Sequence, residues 1–172
     1  SYDGARVPVP DHPKRILALS SASDTILLGL VEPDRLVGIN TLSTYEEYSL
    51  EAKRAKLVKP AMSSYPLEKI IALEPDLVIA PDYTSADVIA GLRHMGIPTV
   101  VVPTGTTVES VIKNVTDIAH IVGEDEKGQF YEQKIRRELE KMKRLGTSIP
   151  LNQRKSVLFV SSMDGYTGTG SL

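Results

Sequence analysis

The chain has no cysteine and no tryptophan, and only two of its 172 residues are phenylalanine. The missing cysteine excludes disulfides, thiolate-ligated zinc and thiol catalysis together. No apolar run approaches the roughly 20 residues that a membrane-spanning helix needs. Charge is not one-sided: 20 basic against 22 acidic side chains leave a formal net charge of -2, whereas a nucleic-acid surface normally needs a clustered basic face. The nearest candidate, Lys53, Arg54, Lys56 and Lys59, contains no aromatic residue and reads as solvated surface. Catalytic signatures are missing too. Neither Gly-x-Ser-x-Gly nor Gly-x-Gly-x-x-Gly occurs, and no Gly-Lys-Ser/Thr follows Gly165, Gly168 and Gly170. A phosphoacceptor receiver needs two acids directly after its first strand, and that place reads Ser20-Ser21-Ala22-Ser23. The first residues carry no signal-peptide pattern, which fits a mature exported chain as well as a cytosolic one.

What is present points to an α/β protein. Apolar residues make up 41% and charged residues 24%, ordinary for a globular domain, and the length suffices for one full core or one plus part of a second. Residues 67 to 81 are the most informative. Ile70, Ile71 and Leu73 give an apolar face of helical type, and Pro75 cannot continue that helix. Asp76 turns the chain into Leu77 to Ala80, an unbroken apolar run suited to a strand covered on both faces. Pro81 stops it, and Asp82 and Tyr83 stand at its carboxyl end, where open α/β sheets bind ligands.

The same rhythm recurs along the chain. Strands are predicted at Ile16 to Leu19, Leu36 to Ile39 and Thr99 to Val102, and helices at Asp24 to Leu30 (with Ser23 as N-cap), Ser85 to Met95 and Val108 to Val122. Strands alternating with helices predict a parallel sheet. Glu-Pro-Asp serves twice as a helix-to-strand hinge, at Glu32 to Asp34 and Glu74 to Asp76. Residues 41 to 66 break the rhythm, with Tyr45, Tyr48 and Tyr65 and at most a short helix around Glu46 to Arg54. A connection of that length is more often functional or mobile than accidental. Asp125 to Leu145 is predicted as one long helix of about 30 Å. Tyr131, Ile135, Leu139 and Met142 lie on one face, and Gly146 and Pro150 end it. Val157 to Val160 then reads as a new strand with a glycine-containing turn behind it. The expected organisation is an N-terminal α/β lobe over 1–122, a linking helix over 123–150, and the start of a second α/β lobe over 151–172.

Three segments carry a family resemblance: Pro13 to Ser20, Asp34 to Ile39 and Leu67 to Ala80. In order and spacing, together with Gly96 to Val102 and the long helix, the chain resembles the helical-backbone (class III) solute-binding proteins of ABC importers for siderophores, haem and cobalamin. The resemblance covers essentially the whole chain. It implies two similar lobes joined by the long helix, with ligand held between them and most of the second lobe outside this chain. It also implies that Glu68, on the side of its short helix away from the apolar residues, forms a salt bridge with arginines of a membrane permease. Haem-binding relatives carry a ligating tyrosine where this chain has Ala61, and cobalamin-binding relatives carry a tryptophan, which this chain lacks. Those departures put an iron-siderophore or related metal chelate first, with cobalamin or haem as alternatives.

The residues support the same expectation without the resemblance. Each predicted strand ends in small polar or aromatic residues: Ser20 and Ser21, Asn40 and Thr41, Asp82 and Tyr83, Thr104 and Gly105, Ser161 and Ser162. Parallel strands gather these on one edge. Such an edge offers hydroxyls, an amide and rings, with no coherent set of acid, base and nucleophile, so recognition is expected rather than catalysis. The candidate ligand contacts are Ser21, Asn40, Tyr45, Tyr65, Asp82, Tyr83 and Thr104. His12, His94 and His120 are far apart in sequence and none stands at a strand end, so no metal site of the protein's own and no cofactor is expected. The expected partners are a small-molecule metal chelate, the permease and the second lobe, with no nucleic acid. The expected location is the periplasm or, for a lipoprotein, the outer cell surface; a cytosolic flavodoxin-like domain is the competing reading.

Overall fold

A computed structural model describes residues 1–155 of the chain. The predicted strand at Val157 to Val160 and the turn behind it lie outside the described residues. Two strands meet at the centre. Ile16–Ala18 (β1) runs parallel to Leu77–Pro81, with Ile16 opposite Leu77. Side chains alternate across the sheet, as strand geometry requires. Ile16, Ala18, Leu77 and Ile79 join one buried cluster, whereas Leu17, Val78 and Ala80 join a second on the opposite face.

The remaining elements are best named in chain order. Ser21–Leu30 is α1, and Ile39–Asn40 is β2. Ala52–Ala55 is α2, Ala61–Met62 is β3, Leu67–Ala72 is α3, and Leu77–Pro81 is β4. Ala86–His94 is α4, Thr99–Val102 is β5, Val108–Ile121 is α5, and Asp125–Ser148 is α6. All strand pairs are parallel. β2 pairs with β3, and Leu36 bridges to Ile16 just ahead of β2, so the spatial order is β3, β2, β1, β4, β5. The direction of progress reverses between β1 and β4, which makes that seam the switch point where such sheets open a crevice. One face is covered by α1 and α5 through Leu27, Leu28, Ile118 and Ala119, the other by α3 and α4 through Ile70 and Leu92.

The seam is held by a reciprocal clamp. The Asp76 carboxylate accepts the Lys14 and Arg15 backbone N–H groups at 2.7 and 2.9 Å. Arg15 in turn donates to the Leu73 and Glu74 carbonyls at the end of α3. The two Glu-Pro-Asp hinges share their position before a strand but not their geometry. Pro33 opens a short 3-10 turn, whereas Glu74 adopts a positive φ of 47°.

Several expected boundaries shift. Helix α1 starts at Ser21, not Asp24, and its N-cap is Ser20, whose hydroxyl accepts from the Ser23 N–H; Ser23 lies inside the helix. The second strand is Ile39–Asn40 rather than Leu36 to Ile39, because Leu36 keeps only a single bridge to β1. Residues 41 to 66 hold more structure than their polarity suggests: a 3-10 turn at Thr41–Thr44, α2 and β3. Gly146 does not end α6, which continues to Ser148 and stops one residue before Pro150 can break it.

Helix α5 hands over to α6 through Gly123, at φ 76°, a left-handed residue of the kind that closes helices. A Cβ at Gly123 would lie 2.6 Å from His12 Nδ1 and 2.8 Å from the Asp11 carbonyl. The antiparallel pair then crosses at Gly128, where a Cβ would approach Ala119 Cβ to 2.5 Å. Gly128→Ala is therefore expected to destabilise the chain by about 1–3 kcal/mol through overpacking. Adding Ala119→Gly should recover most of that loss, read as the urea midpoint by far-UV circular dichroism.

Candidate ligand-binding rim

Because every strand points the same way, the loops after β1, β2, β3, β4 and β5 meet along one edge. Beside the switch point the loops after β1, β4 and β5, with α1 and α5, enclose a cavity of about 420 Å³ lined by Ser20, Ser23, Tyr83, Thr104, Val111 and Asn114 among others. Ser20 and Ser23 contact it, whereas Ser21, half-buried at the start of α1, is not among its lining residues. Thr104 lines it, held in place by Asp82, whose carboxylate accepts the Thr104 N–H at 3.0 Å and its hydroxyl at 2.6 Å. Those two bonds hold the Asp82 carboxyl below its ordinary range. Asp82 thus splices the β4 and β5 loops. Asn114 donates to the Pro103 carbonyl at 2.8 Å while its own amide oxygen is buried without a partner among the described residues.

The aromatic residues stand along the same rim. Tyr83 is 72% exposed and Tyr45 50%. Tyr45 meets Tyr48 edge to face at 6.4 Å, a favourable ring geometry. Tyr65 is half-buried, its hydroxyl lacks a hydrogen-bond partner among the described residues, and burial raises its pKa, with Asp24 and Tyr83 adding to the shift. Glu68 is exposed in the first turn of α3, three residues beyond Tyr65, and makes no ion pair among the described residues. Because α3 follows β3, Glu68 stands on the same edge as the cavity.

Asn40 is committed to the fold, and the group that commits it, Asp24, is absent from the sequence-level candidates. Asp24 Oδ2 accepts the Asn40 N–H at 2.7 Å and the Ser43 hydroxyl at 2.9 Å, while Asn40 Oδ1 accepts the Leu42 N–H. Oδ1 of Asp24 is buried without a partner among the described residues, and the residue is 1% exposed. The signal was present: Asp24 precedes Leu27, Leu28 and Val31 at spacings of three, four and seven, so it stands on the apolar stripe of its helix. Ser23, Tyr48 and Asn114 are the other rim residues that the strand-end pattern did not single out, and Ser20, a strand end in that pattern, was not among the candidate contacts.

Burial pushes the Asp24 carboxyl from 3.8 up to about 7, against the pull of Asn40 and Ser43. The unfolded chain releases this proton near its ordinary value, while the folded chain keeps it to higher pH. Between about pH 4 and 7 the folded state therefore binds more protons, so this contribution to stability falls as pH rises and levels off above. At about 1.4 kcal/mol per unit the loss is on the order of 4 kcal/mol. Asp24→Asn keeps a carbonyl oxygen for both donors and removes the titration. The difference between parent and Asp24→Asn unfolding free energies, from urea titrations across that pH range, should change by this amount and in this direction.

Comparison with known proteins agrees with the geometry. A family model described as periplasmic binding protein matches residues 16–171. An uncharacterized ABC transporter substrate-binding lipoprotein of Bacillus subtilis is 29% identical over 161 residues, covering 92% of this chain and 50% of the relative. A vitamin B12-binding protein of Vibrio campbellii is 31% identical over 134 residues, covering 76% and 46%. The chain thus spans about half the length of the curated relatives it matches. Among solved structures, a periplasmic solute binding protein of Veillonella parvula superposes with a TM-score of 0.72 at 21% identity, over 87% of this chain and 48% of its own. The heme binding protein HmuT superposes at 0.67 and 26% identity, with the same coverage. With its parallel sheet and the long helix behind it, the chain belongs to the periplasmic binding protein family, as a class III solute-binding protein.

Proposed function

We propose that this chain is the N-terminal lobe (1–122) and linking helix (123–150) of the substrate-binding component of an ABC importer. It captures an iron-siderophore or related metal chelate between this lobe and a second one that begins within 151–172, and delivers it to a membrane permease. The observation that carries the reading is the convergence of five parallel strand ends on one rim with a cavity, exposed tyrosines and no catalytic set among the described residues. The binding role, rather than turnover, follows from that rim. The candidate contacts are Ser21, Asn40, Tyr45, Tyr65, Asp82, Tyr83 and Thr104, joined by Ser20, Ser23 and Asn114. Asn40 and Asp82 act by holding loops; Tyr45, Tyr83 and Thr104 face outward and meet the ligand. The relatives that bind haem and vitamin B12 support a flat or chelated metal ligand.

The second lobe is supported by an uncovered face. A groove of about 520 Å³ runs between α1, Leu50 and the outer half of α6, lined mostly by apolar residues such as Ile26, Ile135, Leu139 and Met142. Leu50 is 100% exposed and Met142 65%. It adjoins the strand-end cavity, sharing Thr25 and Ile26 with it, and a second lobe packed on α6 accounts for it. The protein acts outside the cytoplasm, in the periplasm or as a lipoprotein at the outer surface, as the lipoprotein relative supports.

Glu68 is the permease-docking residue in this reading. In the full-length protein, Glu68→Ala should abolish chelate uptake by cells while leaving ligand affinity unchanged; uptake at the parental rate refutes the docking role. Tyr45→Ala and Tyr83→Ala should each weaken capture by up to about tenfold, for rings worth about 0.5–1.5 kcal/mol in stacking, measured by titration followed through tyrosine fluorescence. Full affinity in both variants would remove the aromatic rim from the site.

A further inference from the structure

We infer that the rim selects metal chelates that carry no net charge or a positive one, and disfavours anionic chelates; this rests on the capture reading above. The five strand-end loops, residues 19–23, 40–50, 62–66, 81–85 and 103–107, contain no lysine, arginine or histidine. They do contain Glu46, Glu47 and Asp82. An anionic ligand is held by cationic forks or by clustered ammonium groups, and this edge offers neither.

Cations on the elements around the rim are paired, among them Arg93, which lines a groove with Asp82 and Thr84 and holds Asp3 at 2.7 Å. Lys56 reaches Glu46 at 3.5 Å. Arg136, on the α6 turn beside the start of α5, takes both Glu109 oxygens at 3.0 and 2.9 Å and also pairs with Glu132. Lys113 is bound to Asp117. Lys69 follows Glu68 on α3, so that pair adds no net positive charge.

Beneath the loops the buried polar groups Asp24, Tyr65 and Asn114 bring no cation. A second anion brought against Glu47 and Asp82, both exposed on this edge, would meet like charge. A cationic chelate gains from the same field and from the faces of Tyr45 and Tyr83, and an uncharged one accepts a hydrogen bond from the Ser23 hydroxyl, the Ser20 and Thr104 protons being given to Ser23 and Asp82.

The test titrates the full-length protein, followed by tyrosine fluorescence, with five probes. Ferrioxamine B is cationic, ferrichrome and cyanocobalamin are uncharged, and ferric enterobactin and haemin are anionic. The expected result is that the tightest probe is cationic or uncharged and binds at least about tenfold more tightly than either anion. In the Glu47→Lys variant, an exposed change that leaves the fold intact, affinity for ferrioxamine B should fall and the gap to ferric enterobactin should narrow. Tightest binding by an anionic probe overturns the charge selection and leaves the capture reading standing. Binding of none of the five overturns the capture reading and this inference with it.

Discussion

The β1–β4 seam sets the geometry of everything above it. Ile16 lies opposite Leu77, and the Asp76 carboxylate takes two backbone N–H groups from the segment that leads into β1. Arg15 returns the contact to the carbonyls that end α3. Two charge-assisted sets of bonds at one point define the register of two buried strands, which have no side-chain polarity to do so. The register then decides where the loops after β1 and β4 emerge, and the cavity lies between those loops and the one after β5. A slip of one residue would turn Leu17 and Val78 toward the wrong core cluster.

The two edges of the sheet are finished differently. At the amino edge, arginines close the backbone: Arg15 on Leu73 and Glu74, Arg35 on Pro13 and Val122, Arg54 on Val31, and Arg93 on Thr99. Carbonyls that would end strands and helices without partners are satisfied there. At the carboxyl edge the cross-links run between loops, from Asp24 to Asn40 and Ser43 and from Asp82 to Thr104. Carboxylates brace that edge while leaving hydroxyls and rings facing outward. The same choice of acids over bases that shapes the rim also sets its electrostatic sign.

Much of the fold was legible because it rests on local rules. The run Leu77 to Ala80 announced a doubly covered strand, and Thr99 to Val102 matches its expected bounds residue for residue. The stripe of Tyr131, Ile135, Leu139 and Met142 announced the long helix. Boundaries failed where a side chain arbitrated between two adequate candidates. Ser20 and Ser23 are both good caps, and only the Ser20 hydroxyl faces the free N–H. Gly146 is tolerated inside α6 because nothing crowds it and helical bonds continue past it. The segment 41 to 66 looked irregular because a strand of two residues and a helix of four leave no periodicity to detect.

By itself the sequence determined the class of the fold, the parallel direction of the strands and hence the edge on which Asn40, Asp82, Tyr83 and Thr104 gather. Those follow from hydrophobic period and from the stops that proline and glycine impose, all of which act over a few residues. Only the tertiary structure decided that the chain order β3, β2, β1, β4, β5 opens the crevice beside Ser20 and Tyr83, that Asp24 is buried beneath the rim, and that Asp82 grips Thr104. These depend on which distant segments end side by side, and on how much water the packing removes from a carboxylate. Neither quantity is a property of any short stretch of the chain.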